Sequence, residues 1–170
     1  MGQVPCSVVW LRRLSENDAI ARQNLPCQRI RLLMLPGLGG SGPRHWQTLW
    51  ASRQIGCRRF QPADWDRPDL ADWLQALDEA IGECAAPVVL VAHSLSCLLV
   101  AHWALRPGIG EDLPHRIAQV RGAFLVAVPD PGAPVFPVEA RAFGTVICGQ
   151  AIVRTIESTM YNKTLDLSVL

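Results

Sequence analysis

One serine of this 170-residue chain lies where a strand would meet a helix, a position suited to chemistry. Val88-Val-Leu-Val-Ala92 is a continuous run of the kind buried on both faces of a sheet. Leu98-Leu-Val-Ala101 with Trp103 and Leu105 is apolar nearly all round and reads as a buried helix, and His93-Ser94-Leu95-Ser96 is the turn between them. A sharp strand-to-helix turn pushes its central side chain outward and aims the backbone N–H groups that follow at one point. That suits a hydroxyl nucleophile whose attack places negative charge on a carbonyl oxygen. The turn ordinarily reads G-x-S-x-G, because strand and helix pack too closely for larger residues. Here Ala92 and Ser96 take the glycine positions, the smallest replacements available. Ser94 is the expected catalytic nucleophile, and the N–H of Leu95 the expected first donor of an oxyanion hole.

A second donor is expected from Gly37-Leu-Gly-Gly-Ser-Gly42, which follows the apolar run Ile30-Arg-Leu-Leu-Met-Leu35; the N–H of Leu38 or Gly39 would pair with that of Leu95. The same loop matches G-x-G-x-x-G, and Asp64 stands about where a ribose-binding acid would follow, so dinucleotide binding is the rival reading of this segment. A Walker-type phosphate loop is excluded by Pro43-Arg44 where Lys-Ser/Thr is required. His45 and His93 are expected to line the site, with His45 a conceivable substitute base. His102 on the buried helix is expected to pack locally, and His115 to lie in a polar connection.

These residues need a scaffold. From Arg29 onward short apolar runs alternate with amphipathic stretches, the signature of β-α units around a parallel sheet. Strands are expected at 30–35, weakly at 58–61, at 88–92 and at 124–128, the last broken by Pro129. A helix carries Trp46, Leu49 and Trp50 on its apolar side. Pro68 opens another, with Leu70, Trp73, Leu74, Leu77 and Ile81 in one stripe. By analogy with the α/β-hydrolase fold, the sheet order is expected to place the second strand outermost, then the first, third and fourth. The fold class is α/β: an incomplete α/β-hydrolase sheet of about four recognisable parallel strands with flanking helices.

Composition narrows the function further. Sixteen basic and 15 acidic residues nearly cancel without a Lys/Arg block, which removes an electrostatic case for nucleic acid. The six cysteines are scattered without a C-x-x-C pair or a zinc-ligand spacing, so no metal is expected. No apolar run approaches the ~18 residues that span a bilayer, and the N-terminus lacks a leader pattern, so a cytoplasmic location without membrane attachment is expected. Residues 1–28 read as a loosely attached, poorly ordered extension. All 13 Pro and all six Trp precede residue 138, whereas the only Lys, the only Tyr and four of five Thr lie at 145 or later. Residues 144–170 therefore read as an atypical tail behind a domain at 29–143.

Leu35-Pro-Gly-Leu-Gly-Gly-Ser-Gly-Pro-Arg-His-Trp-Gln47 and Val91-Ala-His-Ser-Leu-Ser-Cys-Leu-Leu-Val-Ala-His-Trp103 resemble the bacterial branch of the retinoblastoma-binding protein nine family of small serine hydrolases. The likeness runs from about Arg29 to about Phe143 and includes Asp64-Trp65, Phe124-Leu-Val-Ala-Val-Pro-Asp130 and Phe136-Pro137. It implies a compact α/β-hydrolase without a large lid, a Ser-Asp-His triad in that chain order, and esterase-like action on a small ester or amide without a cofactor. The triad Asp and His match nothing here: the 27 residues after Phe143 contain no His, and their one Asp, Asp166, follows no convincing strand. The chain is therefore expected to be a C-terminally truncated or frame-shifted member with impaired activity and an open apolar sheet edge beyond the fourth strand. The class alternative is an inactive binding or interaction module using the same crevice.

Overall fold

The computed structural model describes residues 8–12 (backbone), 31–54, 56–105, 116 and 118–145. The strands are β1 (Val8–Arg12), β2 (Arg31–Leu35), β3 (Arg58–Arg59), β4 (Val88–His93) and β5 (Val120–Val126). The helices are α1 (Trp46–Ala51), α2 (Leu70–Gly82) and α3 (Leu95–Leu105), followed by a short 3-10 helix, Val138–Thr145. One sheet runs β1-β5-β4-β2-β3, with β2, β3, β4 and β5 parallel and β1 antiparallel. The four parallel strands stand in the order expected by analogy with the fold.

Alternation along the strands divides the interior in two. Leu33, Leu35, Leu90, Ala92, Ala123 and Leu125 join the larger core with α2 and α3. Met34, Val89 and Val91 face the other way, where Trp46 and Trp50 of α1 and Phe124 of β5 cover them. β4 is buried at every position up to Ala92 because both faces are covered. α2 begins at Leu70, two residues after Pro68, because Asp69 caps it: its Oδ1 accepts the Asp72 N–H at 2.9 Å. Trp73, Leu77 and Ile81 form its buried stripe. α3 is buried at all but two positions, as its lack of a polar face requires. Trp73, fully buried, is the hub of the aromatic packing, with ring centroids 5.6 Å from Phe60, 5.5 Å from Trp65 and 5.3 Å from Phe143.

Two expectations are corrected. The fourth parallel strand occupies 120–126 rather than 124–128. Gly122 weakens the strand signature at its start, and Ala127, at φ 54°, turns the chain before Pro129 is reached. The sheet edge beyond β5 is not open: β1 pairs with it over five residues, from Val8 opposite Val126 to Arg12 opposite Gly122. Part of the expected N-terminal extension thus supplies an edge strand. Phe143, at the end of the expected domain, is fully buried in the larger core. The expected tail beyond Thr145, with Asp166, and the connection holding His115 lie outside the described residues.

Candidate active site

β2 continues to β3 on one side and β4 to β5 on the other, so the topology switches direction between the carboxyl ends of β2 and β4. Crevices that bind ligands in open α/β sheets form at such points. The turn carrying Ser94 leaves β4 there and enters α3 directly. Ser94 has φ 53°, a left-handed conformation that costs a non-glycine residue roughly 1–2 kcal/mol. The surroundings hold it from both sides. On the β5 side the Val126 carbonyl accepts the Ser94 N–H at 3.0 Å and the Cys97 thiol at 3.4 Å. On the β2 side Ser96 Oγ, fully buried, donates to the Pro36 carbonyl at 2.5 Å. The serine in the second glycine position of the turn therefore acts as a strut.

Gly37 shows why a glycine follows β2. A Cβ there would lie 2.9 Å from the His93 carbonyl oxygen, 2.9 Å from Ser94 Cβ and 3.2 Å from the Leu95 nitrogen. Real Cβ atoms essentially never come within 3.0 Å of such an atom, and a contact at 3.2 Å is itself unusually tight. The loop after β2 is thereby pressed against the turn, as a second oxyanion donor requires. Of the two expected donors, Gly39 gives its N–H to the Trp65 carbonyl at 2.8 Å. That leaves the N–H of Leu38 as the expected partner of the Leu95 N–H; Leu95, as the first residue of α3, has no intrahelical acceptor. Asp64, the acid of the dinucleotide reading, closes its own turn instead: its carboxylate accepts from the Asp66 N–H at 2.8 Å and from the Arg67 N–H and Nε–H at 3.0 and 3.2 Å. Those bonds hold its carboxyl below the usual range.

The described histidines separate into two places. His45 and His93 meet edge-to-face with centroids 4.7 Å apart, and Trp46 lies 6.0 Å from His93. Burial lowers the His93 pKa, helped by the neighbouring His45; burial also lowers that of His45, helped by the positive charge of Arg59. His45 caps α1, its Nδ1 accepting the Gln47 N–H at 3.3 Å, which fixes the proton of the neutral ring on Nε2. His102 is remote in role, with Nε2 3.0 Å from the Phe143 carbonyl oxygen. No described side chain hydrogen-bonds Ser94 Oγ. Cys97, wholly buried, has its thiol pushed up to about 12 by burial and is no nucleophile at neutral pH.

α1 departs most from the sequence reading. Leu49, expected on the apolar side, is 46% exposed, while Gln47 is 1% exposed. Gln47 Oε1 accepts from Ser41 Oγ at 2.7 Å, and its Nε2 donates to the carbonyls of Leu35 at 3.2 Å and Val91 at 2.9 Å. Ser41 is further held through its own carbonyl by Thr48 Oγ1 at 3.0 Å and Arg59 Nη1 at 3.1 Å, and Arg59 also stacks over Trp65. The signal that could have revealed Gln47 is a lone amide beside two tryptophans in a helix that has to face strand ends rich in carbonyls.

A parallel α/β sheet with a strand–turn–helix serine at its switch point defines the class to which hydrolases of this architecture belong. The family described as Serine hydrolase matches residues 32–152, and the chain belongs to that family. Among solved structures, the ydeN gene product of Bacillus subtilis aligns with a TM-score of 0.55 at 18% identity, over 73% of this chain and 64% of that one. A YdeN-like hydrolase from Pectobacterium atrosepticum aligns with a TM-score of 0.45 at 30% identity, over 49% of this chain and 45% of that one. The chain thus spans less than two thirds of either structure's length. No curated protein matches it.

Proposed function

We propose that this member of the serine hydrolase family acts on a small ester or amide, with Ser94 as nucleophile and the N–H groups of Leu38 and Leu95 as the oxyanion hole. One observation carries the reading: Ser94 is held at a left-handed turn at the switch point while Gly37 brings the loop after β2 into contact with that turn. In the reaction Ser94 Oγ bonds to the substrate carbonyl carbon and gives up its proton. The leaving alcohol or amine departs with a proton, and water then cleaves the acyl-serine to release the acid. During both additions the carbonyl oxygen carries the negative charge that the two N–H groups meet.

The proton needs an acceptor. Among the described residues His102 is engaged with Phe143, His45 spends Nδ1 on the cap of α1, and no side chain, His93 included, hydrogen-bonds Ser94 Oγ. We therefore expect impaired turnover, with reactivity coming chiefly from the oxyanion hole; removal of triad members elsewhere leaves about 10³–10⁴-fold catalysis over water. Incubation with a fluorophosphonate, in which Ser94 Oγ displaces fluoride from phosphorus, should label the wild type and not Ser94→Ala. Equal labelling of both would remove Ser94 from the mechanism, and absence of labelling in the wild type would favour a binding module without hydrolytic chemistry.

A further inference from the structure

Beyond the nucleophile and its donors, the crevice contains a buried polar group that their chemistry does not use directly. Gln47 reaches from α1 on one face of the sheet to the end of β2 and β4, just where the strands part. Leu35 is the last residue of β2, and Val91 lies two residues before the end of β4, opposite Met34. One amide nitrogen donates to both strands, and the amide oxygen takes the hydroxyl of Ser41 in the loop that carries Leu38. The orientation is fixed, because a reversed amide would point its oxygen at two carbonyl oxygens. From the opposite face Ser96 of α3 makes the matching link to Pro36. Every side-chain hydrogen bond of Gln47 thus joins pieces that have to keep a fixed distance if Leu38 and Leu95 are to converge on one oxygen.

We propose that Gln47 is a positioning residue for the oxyanion hole: by tying Ser41 to the ends of β2 and β4 it sets the loop bearing the Leu38 N–H against the Ser94 turn. The idea rests on the reading of Ser94 as nucleophile. A buried amide with three partners could merely stabilise the fold, in which case its loss would lower stability without changing the reactivity of the folded molecules. A positioning role predicts the reverse emphasis, since a donor displaced by about 1 Å costs on the order of 10²-fold in rate.

The test measures the second-order rate of fluorophosphonate labelling at Ser94, per folded molecule by circular dichroism, for the wild type, Gln47→Met, Gln47→Glu and Ser41→Ala. Gln47→Met keeps the size and loses all three bonds; Ser41→Ala cuts only the link to the loop and leaves the strand ends tied. We expect labelling to fall ~10- to 100-fold in Gln47→Met and by a smaller factor in the same direction in Ser41→Ala. Gln47→Glu should be slow at the alkaline end of the pH range, where its carboxyl, raised by burial beside two carbonyl oxygens, is ionised. It should recover relative to the wild type as acid restores an O–H donor, a rescue that a purely structural role would not produce. Unchanged labelling in folded Gln47→Met, or in Ser41→Ala if the Met variant does not fold, overturns the proposal. If the wild type itself is not labelled at Ser94, the reading of the nucleophile fails first and takes this inference with it.

Discussion

The crevice between β2 and β4 and the far edge at β5 use the same backbone for opposite ends. At the crevice, two strands that pair in register from Arg31 to Leu35 are released at their carboxyl ends, and buried side chains take over the linking: Gln47 from one face, Ser96 from the other. At the edge nothing is released. β1 lies antiparallel along β5 for five residues and occupies its outer side. A parallel neighbour has to be reached by a long crossover, whereas an antiparallel one can come from any segment that passes nearby. An active crevice needs a pair of strands held apart at fixed spacing, while an edge needs only to be covered. The first is built from particular side chains, the second from backbone pairing.

The strongest way to break this contrast is Gly37→Ala. Its Cβ would meet the His93 carbonyl and the Leu95 nitrogen, both backbone atoms that cannot step aside. We expect Ser94 labelling to fall by at least ~10²-fold and stability to drop by about 1–3 kcal/mol, the usual cost of overpacking. Self-association should not change, because the β5 edge is untouched. A Gly37→Ala protein that labels at the wild-type rate would show that the contact between loop and turn is incidental.

Deleting residues 1–12 probes the other region with a smaller effect. Loss of β1 leaves one side of β5 without its pairing partner, and exposed strand edges recruit other strands. The shortened chain should dimerise or aggregate on light scattering at concentrations where the full chain does not. It should lose roughly 1–3 kcal/mol of stability, a few net hydrogen bonds' worth, while its labelling rate per folded molecule stays within about twofold. A shortened chain that remains monomeric and equally stable would mean that β1 contributes nothing to the edge.

The two regions also differ in how far the sequence announced them. The turn at Ser94 was legible because it rests on a local pattern: Val88–Ala92 is continuously apolar, and the residues after Ser96 are apolar all round, so one strand and one helix follow, whereas the order of the four parallel strands came from analogy with the fold. β1 was not legible. Five residues pairing on one edge carry no periodicity long enough to separate from a loop, and their partner is more than a hundred positions away. Gln47 was hidden for a different reason: hydropathy places Leu49 inward and an amide outward, but strand ends rich in carbonyls reverse that choice. Of the expected oxyanion donors, spacing alone could not separate Leu38 from Gly39, because only the fold brings the Trp65 carbonyl to Gly39.

The smallest expected effect is a pH dependence that should divide unevenly between the crevice and the rest of the core. An imidazole ordinarily titrates near 6.5, and burial lowers that value for His45, His93 and His102. Below 6.5 the unfolded chain therefore takes up protons that the folded chain resists, and the unfolded state gains from acid. Stability is undiminished above about 6.5 and declines as the pH falls from there toward the lowered folded values. Asp64 acts in the same direction only at more acid pH, because its ordinary value is 3.8 and its folded value is lower still, so the interval from about 6.5 to 5 isolates the histidines. For His102 the Phe143 carbonyl favours the protonated ring and offsets part of the burial effect; His45 and His93 have no such help, and each has a positive or titrating neighbour, Arg59 for the first and His45 for the second. Urea midpoints between pH 7.5 and 5 should therefore fall less steeply in a His45→Gln/His93→Gln double variant than in the wild type. His102→Gln, which keeps a donor for Phe143, should flatten the curve less. If the double variant retains the full wild-type slope, the histidine pair at the crevice is not the source of the acid sensitivity.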